Sequence, residues 1–307
     1  MEAAMEPGTT PRTRSYGVML VLLAGTFWSI GGIVVRLIME ANAWQIVFYR
    51  SLSLAMTLAL VVLIRYQGNF WNALRSAGVI AAVAGGCLSV SFVCWIFALM
   101  YTTVANALFL LTTQTFLTAL LAFALLGERV PRITWLTMSL ATIGVGVMLS
   151  EGLALGTLSG NLFALGAAFG LSGFTVALRK GKEVDMFPAT WWAGIFSTVF
   201  AACMLQANGL AFSVGVWDLG MCTILGVVQI GCGLIAFTAG SYYLPAAELA
   251  LLALTEVILG PIWVWLGVGE VPSAWTLVGG MIMLVAVIWR ALYEVRRQSS
   301  RPHIAPA

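Results

Sequence analysis

The chain has 307 residues, 61% of them hydrophobic and 9% charged, with 15 Lys and Arg against 12 Asp and Glu. A water-soluble domain carries about 45–50% apolar and about 25% charged residues, and its surface needs polar side chains that are missing here. This composition, with a mean hydropathy of +0.99, excludes a soluble enzyme, a nucleic-acid binder and a disordered chain, and makes lipid the main solvent.

A helix needs about 20 apolar residues to cross about 30 Å of hydrocarbon, and ten such runs follow one another. A polar tail, 1–16, has no short apolar core with a cleavage site, so the first run is expected to stay as an anchor. Span 1 is predicted over 17–39. Its Trp28, Gly32 and Arg36 recur every four residues and share one helical stripe; Arg36 either snorkels to the headgroups or faces a cavity. Span 2, 44–65, holds Arg50 about 9 Å from its first end. Span 3, 77–99, carries Trp95. Span 4, 103–126, opens with Asn106 and has Gln114 about 16 Å deep.

Spans 5 and 6 are predicted over 133–150 and 157–178, span 7 over 188–207 with Trp191 and Trp192, and span 8 over 217–240. Span 9, 246–268, begins with Glu248 and puts Glu256 about 15 Å deep, at the midplane. Span 10 covers 273–293, and a second polar tail, 294–307, follows. The runs do not alternate apolar and polar residues as barrel strands do. The fold class is therefore an all-α membrane protein of ten transmembrane helices.

Basic residues set the orientation. Arg12, Arg14, Arg65, Arg75, Arg129, Arg132, Arg179, Lys180, Lys182, Arg290, Arg296, Arg297 and Arg301 all fall on one side of the bilayer, and the links on the other side carry none. Both termini are thereby expected in the cytoplasm.

A shift of 142 residues sets Tyr101, Ala105, Leu110, Thr113, Leu117, Gly127 and Glu128 on Tyr243, Ala247, Leu252, Thr255, Leu259, Gly269 and Glu270; a shift of 143 sets Ser29 and Arg36 on Ser172 and Arg179. Two five-span halves, 17–150 and 157–293, are expected. An odd number of spans in each half turns the second upside down, an inverted repeat of the kind found in secondary transporters.

The five cysteines lie in apolar stretches without CxxC spacing and read as small buried hydrophobes. The single histidine, His303, is in the terminal tail, so neither a zinc site nor a catalytic triad is encoded. There is no phosphate loop of the GxxxxGK[ST] type. No cofactor, metal, nucleic-acid partner or enzymatic activity is expected.

The stretch Ala98-Leu99-Met100-Tyr101-Thr102-Thr103-Val104-Ala105-Asn106-Ala107, running on to Leu126-Gly127-Glu128-Arg129, resembles the span 3–4 signature of the drug/metabolite transporter superfamily, EamA type. Tyr242 through Ala247, Thr255-Glu256 and Gly269-Glu270 repeat it, and Phe48-Tyr49-Arg50 is similar to the family's span 2. The resemblance covers about 17–293. It implies an inner- or plasma-membrane carrier, often an exporter of amino acids or other metabolites, with a cavity between its halves and spans 5 and 10 peripheral. No proline lies near Thr115 or Val257, where the family commonly has one; Gly260-Pro261 comes slightly later.

Polar groups deep in the bilayer cost free energy and call for a role. Glu256 either sits neutral in a helix–helix hydrogen bond or serves as a substrate-ammonium or proton site, with its repeat mate Gln114 on the opposite wall. Arg50 either pairs with Glu256 or grips a substrate carboxylate through its planar fork. Trp28, Trp95, Trp191 and Trp192 pack or wall a cavity, Tyr101 and Tyr243 add hydroxyls, and Asn106 and Glu248 read as solvated mouth residues. The leading function is a secondary transporter in the lipid bilayer that exports a small zwitterionic amino acid by alternating access, driven by protons or by the substrate's own gradient. The alternative is the same fold with another cargo: a nucleobase, a sugar, a drug or a lipid-linked metabolite.

Overall fold

The computed structural model describes residues 11–68, 70–128, 130–155, 157–181, 186–244 and 246–299. Ten helices in it are long and apolar enough to cross a membrane: Arg14–Arg36, Ala43–Arg65, Ala77–Tyr101, Val104–Leu126, Arg132–Ser150, Leu158–Lys180, Phe187–Ala207, Val216–Ser241, Glu248–Val268 and Ala274–Tyr293, spans 1 to 10. Each lies within a few residues of its predicted place, and no strand occurs among the described residues. His303 and Lys182 lie outside them.

Helix is the outcome because a bilayer has no water to satisfy backbone N–H and C=O groups, so each segment must satisfy its own. Bulky side chains such as Ile64, Val79 and Leu266 are two-thirds or more exposed on the outside of the bundle. Small ones such as Ala81, Ala98, Ala164 and Ala168 are fully buried. Small residues let helix backbones approach, which is how helices associate where lipid tails are as apolar as leucine.

Span 1 runs along spans 8 and 9, span 6 along spans 3 and 4, span 2 against span 7, and span 5 against span 10. Spans 5 and 10 meet at Gly144 and Gly279, where a Cβ on either would come within 2.7 Å of the other's carbonyl oxygen. The largest apolar cluster is centred on Ile46, Ile96, Leu99, Leu110 and Leu225, from spans 2, 3, 4 and 8.

Apart from a kink at Gly78 at the start of span 3, four spans depart from the uninterrupted helices that hydropathy suggests. Span 1 breaks between Pro11–Ser29 and Gly31–Arg36. Span 4 breaks between Val104–Leu111 and Gln114–Leu126, and span 9 between Ala246–Ala253 and Thr255–Val268. Span 8 widens into a π-helical stretch, Leu225–Cys232. The breaks in spans 4 and 9 are tightened turns in which N–H groups bond three residues back: Thr112 to Phe109 (3.0 Å), Thr113 to Leu110 (3.1 Å), Leu254 to Leu251 (3.2 Å) and Val257 to Leu254 (3.0 Å). In span 4 the Thr112 and Thr113 hydroxyls donate to the same two carbonyls at 2.7 Å, which competes with the α-helical ladder.

Spans 4 and 9 also end alike. Gly127 (φ 68°) and Gly269 (φ 70°) are left-handed, where a Cβ would be strained. The next N–H, of Glu128 or Glu270, turns back to the carbonyl of Ala122 (3.3 Å) or Val264 (3.4 Å), closing the helix and aiming both carboxylates at the bundle ends.

Candidate functional site

The broken turns put two half-helix N-termini at mid-span. Gln114 is the first residue of its half-helix and Glu256 the second of its own, about 15 Å and about 12 Å into their spans. Such N-termini are positive dipole ends, and broken helices at this depth are a feature of transporter binding sites; here the N–H groups of Thr115, Phe116, Val257 and Ile258 are met by carbonyls of the tightened turns. Both side chains are half-buried, and Glu256 has no hydrogen bond or ion pair among the described residues.

Neighbouring spans hold the breaks in place. Ser172 on span 6 lies 3.0 Å from the Gln114 carbonyl oxygen, and Trp263 on span 9 donates through Nε1 to Ser29 Oγ on span 1 at 2.9 Å. Arg290 on span 10 donates to the Thr115 carbonyl. Ser29 and Ser172 are the residues that the 143-residue shift aligns, and they contact spans 9 and 4 respectively, Ser29 accepting from a side chain and Ser172 donating to a backbone carbonyl.

Arg50 is 2% exposed. Its Nη1 donates to the Phe92 carbonyl at 3.3 Å, its guanidinium carbon sits 5.0 Å from the Phe92 ring centroid, and its buried Nε has no partner among the described residues. Arg50 and Glu256 form no ion pair, so the pairing that the sequence left open is not made.

Gln229, in the π stretch, is a second buried polar side chain with an unmet atom. Its Nε2 donates weakly to the Trp28 carbonyl at 3.4 Å, beside the break in span 1, and its Oε1 has no partner among the described residues. Trp28 itself packs on Phe237 at 5.2 Å. Sequence reading overlooked Gln229, although the depth argument applied to Glu256 fits it equally: it lies midway along span 8.

The remaining expected site residues are at the bundle ends or in the core. Arg36 does not snorkel. Its Nε donates to Glu270 Oε2 at 2.6 Å, and its Nη1 and Nη2 donate to the Leu99 and Thr102 carbonyls at 2.6 and 2.8 Å. Glu270 Oε1 in turn accepts from the Val104 N–H at 2.7 Å. Asn106 is not a solvated mouth residue either, being 4% exposed. It donates to Thr102 Oγ1 at 3.0 Å and to Asn161 Oδ1. Burial of Asn161 at the start of span 6 supplies the partner that keeps it from water.

At the end where the basic residues cluster, Glu248 pairs with Arg14 at 3.0 Å and Glu128 with Arg179 at 3.3 Å. Trp95 is buried in the apolar core. Tyr101 and Tyr243 lie at opposite ends, against Phe163 and Tyr16 respectively, and do not join the midplane group.

The end opposite the basic cluster is closed further. Asp218, 2% exposed, accepts from the N–H groups of Met39, Glu40 and Ala41 at 2.8–2.9 Å. Gln45 donates to the Ala211 and Ser213 carbonyls, and Tyr49 to that of Phe212. Asp218 and Asn161, like Gln229, were not singled out from sequence; both sit within a few residues of a span start, where polar side chains look ordinary.

The profile of the EamA-like transporter family matches residues 15–150 and 158–291. The pseudopaline exporter CntI of Pseudomonas aeruginosa is 26% identical over 89% of this chain and 94% of its own length. An uncharacterized transporter of Vibrio cholerae is 24% identical over 76% and 78%, and human solute carrier family 35 member G1 is 22% identical over 93% and 81%. A crystal structure described only as that of a protein superposes with a TM-score of 0.65 over 91% of this chain and 98% of its own, at 17% identity, which shows a shared fold.

Proposed function

The chain belongs to the EamA-like transporter family, and from that premise we propose that it exports small zwitterionic metabolites, amino acids first among them, across the inner (plasma) membrane by alternating access. The basic end is taken as cytoplasmic. One observation carries the reading: an unpaired carboxylate at mid-span, Glu256, and a buried guanidinium with an unmet N–H about 9 Å into span 2, Arg50, are present without being paired to each other. A zwitterion supplies the complement to both. Its ammonium would meet the Glu256 carboxylate, and its own carboxylate would meet Arg50, whose planar fork suits that group.

Several features support this reading. Leaving polar atoms unmet in a buried site costs about 1–3 kcal/mol each, so they persist where a ligand satisfies them. Breaks interrupt spans 1, 4 and 9 and a π-helical stretch widens span 8, and the exporter named among the relatives is consistent with outward movement. Energy is assigned to a proton gradient through Glu256 or to the substrate's own gradient.

Purified protein in liposomes is expected to catalyse counterflow of labelled amino acids, assayed with and without a pH gradient. Arg50→Ala is expected to abolish counterflow while the protein remains monodisperse. Undiminished counterflow by that variant would remove Arg50 from the site.

A further inference from the structure

The two carboxylates that follow the left-handed glycines, Glu270 and Glu128, meet the two arginines aligned by the repeat, Arg36 and Arg179. Each pair joins the end of one span to the end of another: span 1 with span 9, and span 6 with span 4. Their surroundings differ. Arg36–Glu270 is docked into the corner between spans 3 and 4, giving two hydrogen bonds to the Leu99 and Thr102 carbonyls and taking one from the Val104 N–H. Its side chains are about one-fifth exposed. Arg179–Glu128 is longer, 3.3 Å against 2.6 Å, and both side chains are about half exposed. Among the described residues Arg179 bonds only Glu128.

The 142-residue shift gives the corner that Arg179–Glu128 would need. Leu99, Thr102 and Val104 map onto Ser241, Leu244 and Ala246, the corner between spans 8 and 9. We infer that the two ion pairs are alternate latches of the transport cycle. In this state the Arg36–Glu270 latch is engaged and closes the end opposite the basic cluster. In the opposite state Arg179 donates to the Ser241 and Leu244 carbonyls, Glu128 accepts from the Ala246 N–H, and the Arg36 latch releases. The four residues are positioning residues: they touch no cargo and set which end is open. Because both corners lie across the line between the span 1/8/9 group and the span 3/4/6 group, engaging one strains the other apart. The inference rests on the alternating-access reading, and it needs no particular cargo.

Spin labels test it directly. In a background without native cysteines, one pair sits at Leu37 and Met100, beside the engaged latch, and the matched pair sits at Lys180 and Tyr242. In the unaltered latch background the first distance is expected to be short and narrowly distributed and the second longer. Glu270→Gln should lengthen the first by about 5 Å, the size of a one-turn shift, and shorten the second in the same sample. Lengthening of the first with no change in the second, or no change in either, would overturn the latch assignment. The charge-reversed double variant Arg36→Glu with Glu270→Arg separates docking from simple ion pairing. It restores opposite charges but can neither donate to the two carbonyls nor accept from Val104. It should therefore behave like Glu270→Gln, and recovery of the short first distance would contradict the inference. Should Glu270→Gln fail to give monodisperse protein, Arg36→Lys keeps the charge, loses the fork and reads the same two distances. Coupled distances without amino-acid counterflow would leave the latches standing and remove only the cargo; counterflow with uncoupled distances would do the reverse.

Discussion

Arg50 combines near-complete burial with a side-chain N–H that has no partner among the described residues, an arrangement that costs about 1–3 kcal/mol relative to an apolar side chain of similar length. Arg50→Met is accordingly expected to leave the thermal midpoint in detergent unchanged or raised, by about 1 kcal/mol of stability, while counterflow is lost. A clear drop in the midpoint would mean that Arg50 holds the fold together instead of serving cargo. Much of the residue-level picture was readable from depth alone: Arg50 and Glu256 stand out because charges rarely enter a span. What depth could not show was partnership. Arg36 reads from sequence as either a snorkelling or a cavity-facing side chain because its partners, Leu99, Thr102 and Glu270, are 63 to 234 residues away. Gln229 escaped notice because an uncharged amide lowers mean hydropathy very little.

At the scale of single elements, hydropathy located all ten helices but not their interruptions. Neither Thr112-Thr113 nor Leu254 contains the Gly or Pro that usually signals a break, and the apolar run continues across both. In span 4 the cause is local: two adjacent hydroxyls bond the carbonyls three residues back and favour a tight turn. Thr112→Val with Thr113→Val removes both bonds at nearly constant volume. Counterflow is expected to fall at least tenfold, a change of about 1.4 kcal/mol in the barrier, with folding retained. Full activity would show that the turn at Gln114 is incidental. Span 9 has no hydroxyl pair at the matched place, and its break falls instead one residue before Thr255 and seven before Pro261, whose missing N–H already weakens that ladder.

For the whole molecule, the fold class followed from composition and run lengths, since a chain so apolar has few alternatives to a helical bundle in lipid. The pairing of spans did not follow, because it depends on which small residues meet, as at Gly144 and Gly279. The proposed transport cycle requires two halves that lie in the membrane in opposite senses, with the ends of spans 4 and 9 facing opposite compartments. That sidedness is measurable with single cysteines at Val130, just after Glu128, and at Val271, just after Glu270, each in a cysteine-free background. A membrane-impermeant maleimide added to intact cells is expected to label the Val271 position at once and the Val130 position only after the membrane is permeabilised. Labelling of both positions from the same side would contradict the inverted arrangement and, with it, alternating access through these halves.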